Sequence, residues 1–225
     1  MTKECAMKKI TKIEYQKNNK NRVNIYLDDS YAFGIDLNIM IKYSLKKNME
    51  LDDEFVDEIL KSEEEINVYN HALSILSRSV KSEKQLREKL KEKGFDQQFS
   101  ENAIIKLKSQ RYLDDEKFCE LLISSKINSS RQGKRRIKEA LYEKGIHREI
   151  IEEKMSMMSD EDELERARML GAKKLSVLKE EDMRKKCIKL SNYLINKGFE
   201  YSAVKKAVSQ LIDGSCDDFE GFQDC

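Results

Sequence analysis

The sequence predicts a mainly α-helical protein of three tandem three-helix repeats in an elongated row, with a small N-terminal β-hairpin and helix extension. Charged residues make up 38% of the chain and hydrophobic residues 39%, whereas soluble domains average about 25% and about 45–50%. Proline is absent and only 8 glycines occur, so little in the chain interrupts helices. A glycine-centred unit also recurs three times. These observations favour small helical units over one deep globule.

The first segment, residues 1–65, differs from the remainder of the chain. Residues 10–16 (ITKIEYQ) and 22–35 (RVNIYLDDSYAFGI) alternate β-branched or aromatic residues with polar ones. This period of two indicates half-buried strands, joined by turns at residues 17–21 and 28–30. Residues 36–45 and 52–65 are predicted to form short helices. We therefore expect a strand-rich extension at the N-terminus.

From residue 66 onward a helical unit repeats around Gly94, Gly145 and Gly198, which are 51 and 53 residues apart. Aliphatic residues stand eight and four positions before each glycine, and Phe or Ile follows it directly. Aliphatics four apart share one helix face, and a glycine after them is typical of a left-handed helix C-cap. The pattern predicts a helix, a tight turn and a second amphipathic helix in each unit.

An amphipathic segment upstream of each unit predicts a third helix. The repeats then cover residues 66–115, 116–158 and 159–212, and an acidic tail at residues 213–225 is predicted to be disordered. Ser82 and Gln85 have the spacing of a capping box at the start of a helix. Because one helix pair cannot bury its own apolar face, the repeats are expected to pack in tandem.

The sequence contains no Walker loop and no GxGxxG, GxSxG or HExxH motif. Asp114 and Asp115 belong to an LDDE sequence that also occurs at residues 51–54, and such acids are predicted to cap helices rather than to catalyse. His71 and His147, the two histidines, are expected to be structural or solvated. We expect no enzyme activity, cofactor or metal site.

The five cysteines are scattered without a CxxC pair, which argues against a disulfide framework. No apolar run approaches the ~18–20 residues of a membrane span, and the N-terminal sequence lacks the apolar stretch of a signal peptide. The expected location is the cytoplasm.

Basic residues are concentrated in the middle of the chain. Residues 66–158 hold 20 basic and 14 acidic side chains, whereas residues 1–65 hold 11 and 14. A basic segment of this kind indicates a polyanionic or acidic partner, although a solvated helical surface has the same composition. The candidate partner-binding bases form a main group and a weaker one: Lys126, Arg131, Lys134, Arg135, Arg136 and Lys138, and Arg78, Lys81 and Lys84.

Residues 66–158 resemble the RecX family of recombination regulators, and residues 1–65 resemble an extension found in some of its members. The motifs that carry the resemblance are Arg78-Ser79, Ser82-Glu83, Leu86-x3-Leu90-x2-Lys93-Gly94-Phe95, Tyr112-Leu113-Asp114-Asp115-Glu116-x-Phe118, and Arg131-x-Gly133-x-Arg135-Arg136-Ile137-x3-Leu141-x2-Lys144-Gly145-Ile146. Taken in this order they are specific, whereas the third repeat keeps only Gly198 and the aliphatic spacing.

The resemblance implies a monomeric regulator that binds the RecA recombinase filament on single-stranded DNA and contacts DNA itself weakly. It implies that filament growth, ATP hydrolysis, strand exchange and coprotease activity are limited, in DNA recombination and repair and in the SOS response. Two alternatives stay open. One is a DNA-binding module of helix-turn-helix-like units, and the other is a purely structural helical scaffold.

Overall fold

The computed structural model describes residues 7–129 and 131–212, which form two compact units. Among these residues, the first unit holds those up to Ser79 together with Leu86–Leu113, and the second holds Val80–Gln85 and those from Asp114 onward. The predicted acidic tail, residues 213–225, lies outside the described residues.

The N-terminal strands confirm the strand-rich prediction. They are β1 (Lys8–Tyr15), β2 (Arg22–Leu27), β3 (Ser30–Asp36) and β4 (Glu50–Leu51), in the antiparallel sheet order β3-β2-β1-β4. Asp28 and Asp29 both have positive φ, 46° and 65°, as a two-residue hairpin turn requires. One sheet face packs on the helices below it, so that Val23, Ile25 and Ile35 are fully buried.

The helices fill the remainder of the described chain. Their bounds are α1 (Leu37–Lys42), α2 (Asp53–Arg78), α3 (Glu83–Glu92), α4 (Gln97–Ser109), α5 (Asp115–Asn128), α6 (Lys134–Glu143), α7 (Arg148–Ser156), α8 (Asp160–Ser176), α9 (Met183–Asn196) and α10 (Tyr201–Leu211). The mainly helical fold with three three-helix repeats is confirmed. The second repeat comprises α5, α6 and α7, and the third comprises α8, α9 and α10.

Helix α2 differs from the prediction, because one helix of 26 residues replaces the two that we expected. Its first half packs Ile59 against the sheet, and its second half packs Val68 and Ala72 into the core of the first repeat. No glycine or proline occurs between its ends, so nothing in the backbone stops the helix. The helix therefore continues from the extension into the first repeat.

The three turn glycines, Gly94, Gly145 and Gly198, confirm the predicted left-handed caps, with φ of 86°, 75° and 83°. At each turn the next residue donates its N–H to a carbonyl five residues back, as Phe95 does to Leu90 at 3.3 Å. The glycine itself donates to the carbonyl three residues back. This pair of bonds is the Schellman motif.

Side-chain caps are also found where the sequence placed them. Asp52 and Asp114 accept from the backbone N–H three residues on, at 2.7 and 3.0 Å. Ser82 accepts from the N–H of Gln85 at 3.3 Å, and Gln85 accepts in return from the N–H of Ser82 at 3.2 Å. The capping box is therefore confirmed.

Two cysteines lie in buried positions of the second unit. Cys119 carries a free thiol, whose pKa burial raises to about 11. Cys187, in contrast, is disulfide-bonded, so the expectation of no disulfide framework does not extend to this residue. No helix within residues 7–129 and 131–212 is long and apolar enough to cross a membrane.

Candidate partner interface

Two joints within the second unit, each between the start of one helix and the turn after another, contain or border several of the candidate bases. In the first joint, residues 80–85 pack on the turn that follows α6. Ser82 donates its hydroxyl to the carbonyl of Lys144 at 2.6 Å, and Asp115 accepts the backbone N–H of Glu83 at 2.8 Å. The Lys84 ammonium donates to the carbonyl of Glu143 at 3.4 Å. This joint thus uses one of the predicted bases, Lys84, for packing within the chain.

In the second joint, the start of α6 packs on the turn that follows α9. The N–H of Gly133 donates to the carbonyl of Lys197 and that of Arg135 to the carbonyl of Gly198, both at 3.0 Å. A Cβ atom at Gly133 would lie 2.3 Å from the backbone of Phe199. Only glycine allows the two backbones to approach this closely.

Lys134 lies inside this second joint and is only 8% exposed. Its ammonium pairs with Asp160 and lies 4.0 Å from Oε2 of Glu163. The other carboxylate oxygen of Glu163, Oε1, accepts the Lys134 backbone N–H at 2.8 Å. The hydrogen bond and charge of Lys134 lower the pKa of Asp160, whereas burial raises the pKa of Glu163. Lys134 therefore has a structural role in linking the second and third repeats.

The other eight predicted bases remain at or near the surface. Arg135 and Arg136 are exposed, but Arg135 donates to the Ile195 carbonyl at 2.7 Å and Arg136 lies 3.4 Å from Glu139. Those with no side-chain hydrogen bond or ion pair in the described part of the chain are Arg78, Lys81, Lys126, Arg131 and Lys138. Whether any of the nine bases binds a partner stays a prediction.

A polar cleft of about 230 Å³ opens beside the second joint. It brings together two of the predicted bases, Lys126 and Arg136, with Lys197, which the sequence did not single out. The other lining residues are Gln132, Glu139, Ala140, Glu143 and Asn196. We call this set of residues the joint cleft. Its three bases and two acids can recognise carboxylate or phosphate oxygens while also accepting hydrogen bonds.

Lys197 could have been found from the repeat pattern. Lys93, Lys144 and Lys197 each stand directly before a turn glycine, so a lysine recurs at the position that borders each joint. The sequence does not show that the lysine of the third repeat lines the same cleft as Lys126, because that depends on how two repeats pack.

The two histidines, His71 and His147, lie far apart in the sequence and in different helical contexts. The His71 ring contacts the edge of Phe95 with centroids 5.2 Å apart, and His147 is the N-cap residue of α7 without a side-chain cap bond. Within residues 7–129 and 131–212, no group of three or more His, Cys, Asp or Glu side chains is placed to hold a metal ion.

The fold and its joints define a class of protein made of tandem three-helix repeats behind a small strand domain. Family models match all four parts: the regulatory protein RecX N-terminal domain at residues 8–52, and the first, second and third RecX three-helix domains at residues 69–107, 114–155 and 160–208. The chain belongs to the RecX family of regulatory proteins.

Individual relatives agree over nearly the whole chain. The regulatory protein RecX of Clostridium perfringens (strain 13 / Type A) is 40% identical over 91% of this chain and 97% of its own, and that of Clostridioides difficile (strain 630) is 39% identical over 91% and 96%. A crystal structure of regulatory protein RecX superposes with a TM-score of 0.76 at 30% identity, covering 92% of this chain and 98% of that one. RecX from Lactobacillus salivarius superposes with a TM-score of 0.63 at 25% identity, covering 67% and 97%.

Proposed function

We propose that this protein binds the RecA recombinase filament on single-stranded DNA and limits its growth or promotes its disassembly. Membership of a family of regulatory proteins supports the proposal. On this proposal the protein acts in the cytoplasm as a monomer, without catalysis or cofactor, in recombination, repair and the SOS response. Its consequences for the recombinase are lower ATP hydrolysis, strand exchange and coprotease activity.

The observation that best supports a filament contact is the group of bases around the joint cleft. Lys126, Arg131 and Lys138 have no ion pair within the described residues, although acidic side chains are abundant on the neighbouring helix surfaces. Arg131 shortly precedes the start of α6, the positive end of the helix dipole, so its charge adds nothing to the stability of that helix. An acidic partner surface would account for these bases.

The test is recombinase-catalysed ATP hydrolysis on single-stranded DNA, with this protein titrated in below the recombinase concentration. We expect suppression at substoichiometric amounts, because a regulator of filament growth acts at few sites. Binding to the same DNA without recombinase is measured in parallel. Undiminished hydrolysis across the titration would contradict the proposal.

A second candidate, direct DNA binding, is favoured by the basic middle segment and the three-helix units. In that case affinity for bare DNA would be tight and would fall steeply with salt, because each neutralised phosphate releases counterions. Glu139 and Glu143 in the joint cleft count against it, since a cleft of mixed charge fits the separate acidic and hydrogen-bonding groups of a protein better than the continuous negative charge of a phosphate backbone. Tight, salt-sensitive binding to DNA alone with no effect on hydrolysis would favour this candidate.

A further inference from the structure

Within the three-helix repeats, a fourth turn has the same backbone form as the three glycine turns but a different side chain. At the end of α4, Arg111 donates its N–H to the carbonyl of Lys108 at 3.0 Å, and Tyr112 donates to the carbonyl of Leu107 at 2.9 Å. These are the two bonds of the Schellman motif. Arg111 therefore stands in the place of a turn glycine, with a φ of 59°.

The next position differs as well. After the turn glycines, Ile146 and Phe199 are 3% and 1% exposed, and Phe95 packs against the core of the first repeat. After Arg111, Tyr112 is 59% exposed, and Leu113, one residue later, is buried instead. The turn at Ser44, after α1, has the same two bonds with a φ of 50°, and the residue after it, Leu45, is 5% exposed. The Arg111 turn thus presents to solvent the two positions that hold a glycine or serine and a core side chain in the other four turns of this form among the described residues.

The stability of the fold does not account for an arginine and an exposed tyrosine at these two positions. In the left-handed conformation the Cβ of an arginine crowds the following carbonyl, which glycine avoids. A base near a helix C-terminus does favour the helix dipole, but Lys106 and Lys108 already stand in the last turn of α4. An exposed tyrosine gains little from that dipole, so the paired replacement points to a contact outside the chain.

We propose that Arg111 and Tyr112 together anchor the protein surface of the partner; this rests on the proposed function and extends it to a second contact region. The guanidinium can hold a carboxylate through two parallel hydrogen bonds, while the tyrosine ring covers an apolar side chain beside it. Arginine and tyrosine are enriched among the residues that carry most of the energy of protein interfaces. A phosphate backbone fits less well, because it offers no apolar side chain for the tyrosine ring to cover.

The test uses the full chain and the recombinase filament on single-stranded DNA. Arg111→Gly restores the residue of the other turns, so we expect thermal stability to be equal or higher while the filament Kd rises at least about fivefold, the scale of an interface anchor. Tyr112→Ala should weaken binding by a similar factor with little change in melting temperature. Arg111→Lys keeps the charge without the bidentate fork and should restore only part of the affinity.

Asn48→Gly is the matched control, since Asn48 is also exposed, with a φ of 71°. It should raise stability in the same way and leave filament binding unchanged. If wild type binds the filament and Arg111→Gly and Tyr112→Ala bind equally well, the anchor is refuted while the proposed function stands. If both variants instead lose affinity for bare single-stranded DNA to the same extent, the contact is to nucleic acid and the inference of a protein contact is wrong. A wild-type chain that does not bind the filament would refute the proposed function and the anchor with it.

Discussion

The three turn glycines meet the same backbone requirement but differ in what lies beside them. A Cβ at Gly94 would have no atom within 4 Å. A Cβ at Gly145 would lie 2.3 Å from the side chain of Lys84, and one at Gly198 would lie 2.6 Å from the backbone nitrogen of Arg136. Gly145 and Gly198 therefore serve both the left-handed turn and the packing of a joint, whereas Gly94 serves the turn alone.

This difference predicts an order of stability losses for alanine substitutions. Gly94→Ala should lower the free energy of unfolding by about 1 kcal/mol, the cost of a left-handed alanine. Gly198→Ala should lower it by at least about 2–3 kcal/mol, because the helix backbone must also shift. Gly145→Ala should fall between them, since a lysine side chain can move aside. Urea unfolding followed by circular dichroism measures all three, and equal losses would contradict the argument.

The roles of single residues could be predicted from the sequence only where their partners are close along the chain. Lys134 and Arg131 belong to the main group of predicted bases, and nothing in their local sequence distinguishes their roles. Their roles differ because the carboxylates that meet Lys134 come from Asp160 and Glu163, 26 and 29 residues along the chain. The turn glycines and the Asp114 cap could be predicted because their causes are local.

At the scale of helices, each joint supplies a cap from the next repeat, in addition to the capping box of α3 in the first joint and in place of a side-chain cap at α6 in the second. The N-cap residue of α6 is Gly133, which has no side chain to cap with, and Glu163 of the next repeat accepts the first helical N–H instead. Asp115 does the same for Glu83 in the first joint. Helix α9, in the last repeat, is capped by its own Asp182. Capping by the next repeat thus occurs where a next repeat exists.

Removing the cap of α6 should therefore destabilise the second unit. Glu163→Ala leaves the buried Lys134 ammonium with one carboxylate and its backbone N–H without an acceptor, so we expect a loss of roughly 2–3 kcal/mol. Glu163→Gln keeps an acceptor oxygen and should lose less. The control is Glu165→Ala on the same helix, where an exposed pair with Arg168 is lost and the change should stay within about 0.5 kcal/mol. Chemical denaturation provides the comparison, and similar losses for Glu163→Ala and Glu165→Ala would contradict capping by the next repeat.

Helix boundaries could be predicted where an acid begins a helix or a glycine ends one. The prediction was wrong for α2, which is one helix instead of two. Residues 53–78 contain two amphipathic patterns whose apolar faces serve different cores. Where a helix passes from one core to another, its apolar stripe is interrupted, and this interruption looks like a break between two helices. Only a backbone signal such as glycine or proline would have distinguished the two cases.

At the scale of the whole molecule, the question is whether the basic middle segment acts through specific side chains or through total charge. The excess of bases between residues 66 and 158 would attract any polyanion at long range. The joint cleft instead favours specific contacts, because Lys126, Arg136 and Lys197 line one cleft. Charge reversals at matched positions can separate the two explanations.

The double variant Lys126→Glu/Arg131→Glu should weaken binding to the recombinase filament roughly tenfold at about 100 mM salt. Lys173→Glu/Lys205→Glu is the control, because both of these lysines are exposed on the third repeat and the substitutions change the net charge of +1 by the same amount. If specific contacts determine filament affinity, the control variant should bind the filament nearly as tightly as wild type. Both double variants should keep the wild-type circular dichroism signal of the helices. The affinity gap should narrow as salt rises, because the lost contacts are ionic. Equal weakening by both variants would instead mean that net charge alone attracts the partner, and unchanged affinity of the first variant would remove Lys126 and Arg131 from the interface.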